Sequence, residues 1–312
     1  MNVVFFGSPA AALPSLSGLL RAGHVVALVV TQPDKPAGRG RKLAASEVKK
    51  FAAAHGISAL EPVRIRKDGS AFDRIRAAAP DVNVVVAYGQ IIPDAIIDLP
   101  PHRSLNVHFS LLPRYRGAAP VQWTILNGDT ETGVTIIVLN DRMDEGDILA
   151  QARVPVRPGE TAPELESRLA ERGAELLLGT LAEIDRIVPV KQDAALATLA
   201  PKIRKEDGRI EWRAPAAAVD RRVRALASNP GVYTFLKGLR LRIRRGRALP
   251  DGDPTARPGT ILRSAKDGLA VACGDRTSYL VERLQAEGKA EMDAYAFSLG
   301  TRSLLGEVLG GD

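Results

Sequence analysis

Three residues whose side chains can donate, accept or hold protons, Asn106, His108 and Asp144, lie in or just after predicted strands. Asn106 and His108 alternate with apolar neighbours, and because a strand sends successive side chains to opposite faces, these two share one face. Asp144 belongs to the acidic loop 141–147, which follows a second predicted strand. A carboxylate stabilises the cationic form of a neighbouring imidazole, and an amide can donate to a developing oxyanion. We therefore predict that the three side chains converge at one edge of a sheet as a catalytic set.

The strand that carries Asn106 and His108 has to end soon after them, because Pro113 lacks an amide donor and Gly117 interrupts a ladder. In open α/β sheets, ligands bind at the carboxyl ends of the strands. Taken alone, either polar residue is better explained as a hydrogen-bonded residue of the core. Their combination with Asp144 favours a functional site over that alternative.

Strands and helices are predicted to alternate over residues 1–189. This alternation is typical of an α/β fold with a doubly wound, mostly parallel sheet. After Gly7 the chain lacks the spaced glycines of a dinucleotide-binding turn, which disfavours a nicotinamide oxidoreductase. Residues 209–312 contain short β-like runs parted by Gly, Asp and Pro, which are typical of a small barrel. The periodicity fades over residues 190–208, so we predict a linker there between two domains.

The positive charge is concentrated near the end of the chain. Residues 202–312 hold 21 Lys and Arg against 14 Asp and Glu, which accounts for the whole formal net charge of +7. An anionic partner such as nucleic acid would be steered to this part, although a basic surface can also serve solubility alone. Arg240, Arg242 and Arg244 alternate with apolar residues, so one strand face would present a row of guanidinium groups suited to phosphates.

A second basic segment, loop 32–43, combines two prolines, two glycines and four cations. Such a composition resists packing as helix or strand, so the segment is predicted to be a loop. A plain flexible linker is one interpretation. The cations Arg39, Arg41 and Lys42 favour a loop that becomes ordered on an anionic ligand.

Several classes of protein are disfavoured by composition. The single cysteine, Cys273, allows no internal disulfide, and the four scattered histidines have no metal-ligand spacing, so we expect no metal. No basic leader precedes the first apolar run, and no stretch approaches the roughly 18 apolar residues of a membrane helix. We expect a cytoplasmic protein, and a monomer, because no stripe of unassigned apolar residues calls for a partner.

Several separated motifs together resemble the 10-formyltetrahydrofolate-dependent formyltransferases. The residues that carry the resemblance are Asn106-Val107-His108, Ser110-Leu111-Leu112-Pro113, the run from Arg114 to Pro120, Asp144, and Gly146-Asp147. Residues 31–40 and 205–210 resemble the subgroup of this family that acts on charged tRNA. The resemblance covers essentially the whole chain, with Glu145 and the segment 226–231 as departures from the usual pattern.

The resemblance implies a Rossmann-like catalytic domain followed by an OB-like barrel. It also implies transfer of a formyl group from 10-formyltetrahydrofolate, as co-substrate, to the α-amine of methionine on initiator Met-tRNA. The catalytic residues would be Asn106, His108 and Asp144. Folate would be bound by Ser110, Leu111, Leu112, Pro113, Tyr88, Gly89 and Asp141. The residues expected to bind tRNA are Arg39, Arg41, Lys42, Lys205, Arg240, Arg242 and Arg244.

Two alternatives remain open at this point. A formyltransferase acting on an amino sugar or a glycinamide nucleotide would keep the same catalytic residues but has no use for the basic loop and barrel. A non-catalytic RNA-binding module would keep the basic surface, and measurable folate binding would argue against it.

Overall fold

A computed structural model describes residues 1–37, 42–301 and 304–311 of the chain. Within it the chain forms two compact units. The first unit contains residues 1–120, 130–156 and 165–201, and the second contains residues 121–129, 157–164 and 202–312.

The strands and helices up to residue 182 largely alternate, as expected from the sequence. The basic segment predicted to be a loop is an exception, because it contains two short strands, Lys35–Ala37 and Lys42–Ala44, which pair antiparallel. Both strands of a two-stranded ribbon are edge strands, where a proline such as Pro36 is tolerated. The strands are β1 (Asn2–Gly7), β2 (Val25–Val30), β3 (Lys35–Ala37), β4 (Lys42–Ala44), β5 (Ala59–Leu60), β6 (Val82–Val86), β7 (Ser104–His108), β8 (Glu131–Val138) and β9 (Ile148–Pro155). The helices are α1 (Leu13–Arg21), α2 (Glu47–Ala54), α3 (Gly69–Ala77), α4 (Asp94–Ile97), α5 (Pro120–Asn127) and α6 (Ala162–Ala182).

Seven of these strands form one sheet in the order β5-β2-β1-β6-β7-β8-β9. The first five in that order are parallel, whereas β8 and β9 run antiparallel to their neighbours, so the predicted mostly parallel sheet is confirmed. Parallel strands are covered on both faces and therefore read as continuous apolar runs. All five residues of β6 are buried, as its Val-rich sequence predicts.

The second unit is built around an antiparallel sheet. Its elements are α7 (Ala216–Ala225), β10 (Val232–Leu236), β11 (Leu239–Leu249), β12 (Ile261–Ala265), β13 (Gly268–Ala272), β14 (Ser278–Ala286), β15 (Met292–Asp293) and α8 (Ala294–Leu299). The strand order is β10-β11-β14-β13-β12, and β15 pairs with β14. In β11, Leu241 and Ile243 are buried in the core, whereas Leu239 is exposed. The apolar residues that alternate with the arginines of this strand therefore face the core at Leu241 and Ile243, as predicted, but not at Leu239.

Neither a membrane-spanning helix nor a metal-binding cluster is found among the described residues. No helix among them has the length and apolar character needed to cross a membrane. The same residues contain no group of three or more His, Cys, Asp or Glu side chains placed to hold a metal ion.

Candidate active site

Strand β7 presents Asn106 and His108 on the same face, between the neighbouring strands β6 and β8. His108 is buried, with 6% of its surface exposed. Its Nε2 atom lies 3.0 Å from the carbonyl oxygen of Tyr115. Because a carbonyl oxygen only accepts, Nε2 is the donor in this contact. The other ring nitrogen, Nδ1, faces the carboxylate of Asp144.

The Asp144 carboxylate connects the predicted catalytic residues. Its Oδ1 atom lies 3.6 Å from His108 Nδ1 and 3.4 Å from Asn106 Nδ2. Its Oδ2 atom accepts a hydrogen bond of 2.8 Å from the backbone N–H of Gly117. Asp144 is itself largely buried and has a φ of 57°, in the left-handed region that Asp adopts more readily than most residues. The three side chains therefore do come together.

The route by which Asp144 reaches the other two residues differs from the expectation of a shared strand edge. Strand β8 is antiparallel to β7, with Val138 opposite Leu105, so the connection 139–147 leaves at the amino end of β7. This connection returns to β9, and it places the Asp144 carboxylate against the β7 face that carries Asn106 and His108. The acidic loop thus approaches that face, whereas Gly117 approaches from the carboxyl end.

The segment predicted to bind folate, Ser110 to Pro113, is held by Thr135 of β8. The Thr135 hydroxyl donates to the Ser110 carbonyl (2.7 Å) and accepts from the Leu112 N–H (3.1 Å). The Ser110 hydroxyl is engaged within the segment, since it donates to the Arg114 carbonyl at 2.6 Å. Leu111 and Pro113 keep partly exposed surface. These two side chains are therefore available to a ligand.

Tyr88 follows β6, but its ring points into the core. The ring packs edge to face on Phe6, with centroids 5.6 Å apart, and only 2% of the residue is exposed. Burial raises the pKa of the Tyr88 phenol, and its hydroxyl has no hydrogen-bond partner among the described residues. Any ligand contact at this turn would come from the exposed Gly89 or from the backbone. Asp141, in the acidic loop, is also exposed.

Sequence reasoning assigned no role to two polar residues that contact the Asp144 loop. Gln192, in the predicted linker, donates from Nε2 to the backbone carbonyls of Asp144 and Gly146, each at 2.8 Å. Its Oε1 atom accepts from Arg116 Nε at 3.0 Å and from Arg116 Nη2 at 2.8 Å. Arg116, which is 8% exposed, also forms an ion pair of 3.2 Å with Glu145. No local motif marked Gln192, because its partners lie far away in the sequence.

The residues predicted to bind tRNA differ in their surroundings. Arg39, Arg41 and the side chain of Lys42 lie outside the described residues, and Lys205 is exposed. Arg244 forms an ion pair of 3.2 Å with Glu291 of the same unit. The other two arginines of β11 belong to a surface of their own.

That surface, the β10–β11 surface, consists of Tyr233, Phe235, Arg240 and Arg242. The Arg240 guanidinium lies 4.0 Å above the Tyr233 ring, and the Tyr233 and Phe235 rings meet edge to face at 5.7 Å. Arg242 donates to the Ser228 carbonyl at 2.7 Å, and burial, followed by the charge of Arg244, lowers its pKa. A cavity of about 290 Å³ opens beside it, lined by Pro230, Arg240, Arg242, Gln285, Ala286, Glu287 and Gly288.

Comparison with protein families gives the same picture over almost the whole chain. Residues 1–181 match the formyl transferase family, and residues 202–302 match the formyl transferase C-terminal domain. The chain belongs to the formyltransferase family. It is therefore an enzyme of the transferase class, as the sequence motifs predict.

Relatives of similar length carry one name. A protein of Thiobacillus denitrificans named methionyl-tRNA formyltransferase is 46% identical over 310 residues, covering 99% of this chain and 100% of the relative. A protein of the same name from Anaeromyxobacter dehalogenans is 45% identical, with 97% of each chain covered. Within the family, both relatives therefore match the whole chain closely.

Solved structures of low sequence identity share the fold. An N-formyltransferase of Helicobacter canadensis, solved with folinic acid and dTDP-3-aminofucose, has a TM-score of 0.67 at 16% identity, covering 89% of this chain and 98% of its own. A methionyl-tRNA formyltransferase of Clostridium thermocellum has a TM-score of 0.58 at 18% identity, with coverages of 79% and 92%. HypX of Aquifex aeolicus, solved with tetrahydrofolic acid, has a TM-score of 0.65 at 18% identity. The match covers 96% of this chain but spans only 46% of HypX.

Proposed function

We propose that this enzyme transfers the formyl group of 10-formyltetrahydrofolate to the α-amine of methionine on initiator Met-tRNA. The observation that carries the proposal is that the buried carboxylate of Asp144 contacts both Asn106 and His108. The nearly full-length relatives named methionyl-tRNA formyltransferase support the choice of acceptor. A charged tRNA acceptor implies a cytoplasmic enzyme, and we propose that it acts as a monomer.

The described residues fit a folate co-substrate beside the catalytic residues. Leu111 and Pro113 offer partly exposed apolar surface just after β7, suited to a flat ring. Gly89 offers an exposed backbone just after the neighbouring strand β6, and Asp141 an exposed carboxylate. Ligand pockets combine apolar walls with a few polar groups in this way. When bound, 10-formyltetrahydrofolate supplies the formyl carbon that the amine attacks.

Each catalytic side chain has a distinct task in that attack. The Asn106 amide donates to the formyl oxygen as negative charge develops on it. Because His108 Nε2 donates to the Tyr115 carbonyl, the proton that the ring gains on becoming cationic is held at Nδ1, beside Asp144. His108 thus holds a proton that can be returned to a leaving nitrogen, which is general acid catalysis.

Asp144 has two tasks. Its carboxylate stabilises the cationic imidazole, and it takes the excess proton of the amine, directly or through a water molecule. Removal of that proton matters because α-amino groups titrate near 8, so a substantial fraction is protonated at neutral pH. Gly117 donates to the opposite carboxylate oxygen and so fixes the orientation of the group.

The second unit would bind the tRNA. The β10–β11 surface combines an arginine with an aromatic ring, which suits stacking with bases and contact with phosphates. Arg242 and Lys205 extend the basic character of this unit, and Arg244, which pairs with Glu291, stays a predicted tRNA contact. The residues Arg39, Arg41 and Lys42 of the basic loop stay predicted tRNA contacts. Contacts with the body of the tRNA would orient the reacting amine, and free methionine should therefore be a poor acceptor.

The test is transfer of labelled formyl from 10-formyltetrahydrofolate to Met-tRNA. Uncharged tRNA, free methionine and an amino-sugar nucleotide serve as parallel acceptors. We expect label only in Met-tRNA at a rate typical of enzymes. Preferential labelling of the amino-sugar nucleotide would replace the proposed acceptor, and binding of folate without any transfer would support the non-catalytic alternative.

A further inference from the structure

Residues 190–200 contact the start of β9 and the loop that follows β7. The backbone of Val190 pairs with Ile148, and Leu199 bridges to Arg116. Thr198 accepts from the Tyr115 N–H through its hydroxyl at 2.9 Å and from the Arg116 N–H through its carbonyl at 2.8 Å. The segment therefore lies within hydrogen-bond reach of the residues that surround His108.

Gln192 is the side chain of this segment that reaches the Asp144 loop. Its single amide nitrogen donates to two backbone carbonyls, those of Asp144 and Gly146, one on each side of Glu145. These two bonds restrain the main chain on both sides of a single residue. They hold the loop at the position where the Asp144 carboxylate meets His108.

Arg116 fixes which end of the Gln192 amide faces the loop. An arginine side chain only donates, so the two contacts from Arg116 require the amide oxygen. The NH2 group is then directed at the two carbonyls, which only accept. The opposite orientation would set donor against donor and acceptor against acceptor, so the chemistry of the partners leaves one arrangement.

The Asp144 loop needs such a restraint. Asp144 has a positive φ, which Asp adopts more readily than most residues but which still costs free energy that the surroundings have to offset. Its carboxylate contacts His108 and Asn106 only at 3.6 Å and 3.4 Å, which are too long to hold it alone. The strong contacts of Asp144 are the Gly117 N–H on its side chain and Gln192 on its backbone.

We propose that Gln192 is a positioning residue for formyl transfer. It holds the backbone of Asp144 so that the carboxylate stays between Asn106 and His108, and Arg116 holds Gln192 in the required orientation. The role applies to the catalytic step and does not depend on which amine is the acceptor. A small displacement of a catalytic group lowers the rate far more than it lowers binding.

The test compares three variants with the wild-type enzyme. Gln192→Ala removes all four hydrogen bonds, and kcat is expected to fall by at least about tenfold, while KM for 10-formyltetrahydrofolate changes by less than about threefold. Gln192→Glu keeps acceptors for Arg116 but replaces the NH2 donor, so kcat should fall although the charge pair with Arg116 stabilises the fold. Asn2→Ala is the matched control, because the Asn2 amide, at the amino end of β1, also donates to two backbone carbonyls, those of Ala78 and Ala79.

A second measurement needs no acceptor at all. Hydrogen exchange of the Gly117 amide, which donates to Asp144, should accelerate in Gln192→Ala and stay unchanged in Asn2→Ala. A wild-type kcat in Gln192→Ala, or equal Gly117 exchange in all variants, would overturn the proposal. If Gln192→Ala does not fold, Gln192→Glu decides by the same two measurements. Failure of the wild-type enzyme to formylate Met-tRNA would count against the proposed function alone.

Discussion

The Nδ1 atom of His108 lies 3.6 Å from the Oδ1 atom of Asp144, although one residue ends strand β7 and the other lies in the connection from β8 to β9. The distance is that of an ion-pair contact and exceeds the length of an ordinary hydrogen bond. The imidazole and the carboxylate are both largely buried, so solvent screens their interaction little.

Replacement of either member of this pair should abolish most of the activity. His108→Ala and Asp144→Ala are each expected to lower kcat by on the order of 10²-fold or more, because a proton carrier or its partner is lost. Circular dichroism should show the wild-type fold in both. Turnover near the wild-type rate in either variant would contradict the assigned roles.

Arg240 should contribute to tRNA binding through its charge. Arg240→Ala is expected to weaken tRNA binding and to lower the slope of log K against log salt by about one, because one fewer counterion is released. Filter binding at several salt concentrations measures both quantities. Arg263→Ala is the control, since this exposed arginine of the same unit is already paired with Asp267 at 2.8 Å. Equal salt slopes for Arg240→Ala and the wild type would remove Arg240 from the interface.

Tyr279 should make the second unit sensitive to alkali. Its hydroxyl is buried without a partner among the described residues, and burial raises the pKa of this phenol. An unfolded tyrosine ionises near pH 10, so the stability that comes from keeping the phenol neutral is complete below about pH 10 and decreases above it. In Tyr279→Phe the free energy of unfolding should therefore fall less steeply above pH 10.

At neutral pH the Tyr279→Phe variant should be as stable as the wild type, or more stable by about 1 kcal/mol, since an unpaired buried hydroxyl is removed. Urea unfolding at a series of pH values measures both, and parallel pH profiles would argue against this account.

Cys273 should report the unfolding of the second unit. Only 5% of this residue is exposed, and burial raises the pKa of its thiol to about 12. Because the thiolate is the reactive form, the thiol should not react with Ellman's reagent at pH 8 while the unit is folded. The reaction should begin at the urea concentration at which the unit unfolds. Rapid reaction in the absence of urea would show that the site opens locally.

The catalytic strand was predictable because its pattern is local. The period of two around Asn106 and His108 requires no knowledge of distant residues, and the structure gives both side chains the predicted common face. The antiparallel pairing of β8 with β9 also follows from the sequence, because a parallel crossover needs a dozen or more residues and the connection 139–147 is too short for one. The direction of β8 relative to β7 does not follow from it, because the connection 109–130 contains α5 and is long enough for a parallel crossover, yet the two strands are antiparallel.

Other features depend on contacts that no local pattern reveals. Tyr88 was expected to face a ligand, but whether an aromatic residue at a strand end turns inward depends on the space beside Phe6. Arg244 is predicted to lie in an open row of cations, but it forms an ion pair with Glu291, which lies close to β15 and also pairs with Arg283. Gln192 has contacts at Arg116 and Asp144, and its lack of helical or strand periodicity made the segment resemble a linker.

The packing of residues 190–200 against the loop after β7 also bears on how this enzyme can be dissected. A fragment that stops at residue 189 would retain Asn106, His108 and Asp144 but would lose the amide that restrains the acidic loop. Its sheet could be intact and its turnover still poor. A fragment that keeps this restraint on the acidic loop should extend at least to residue 201, where the first compact unit ends.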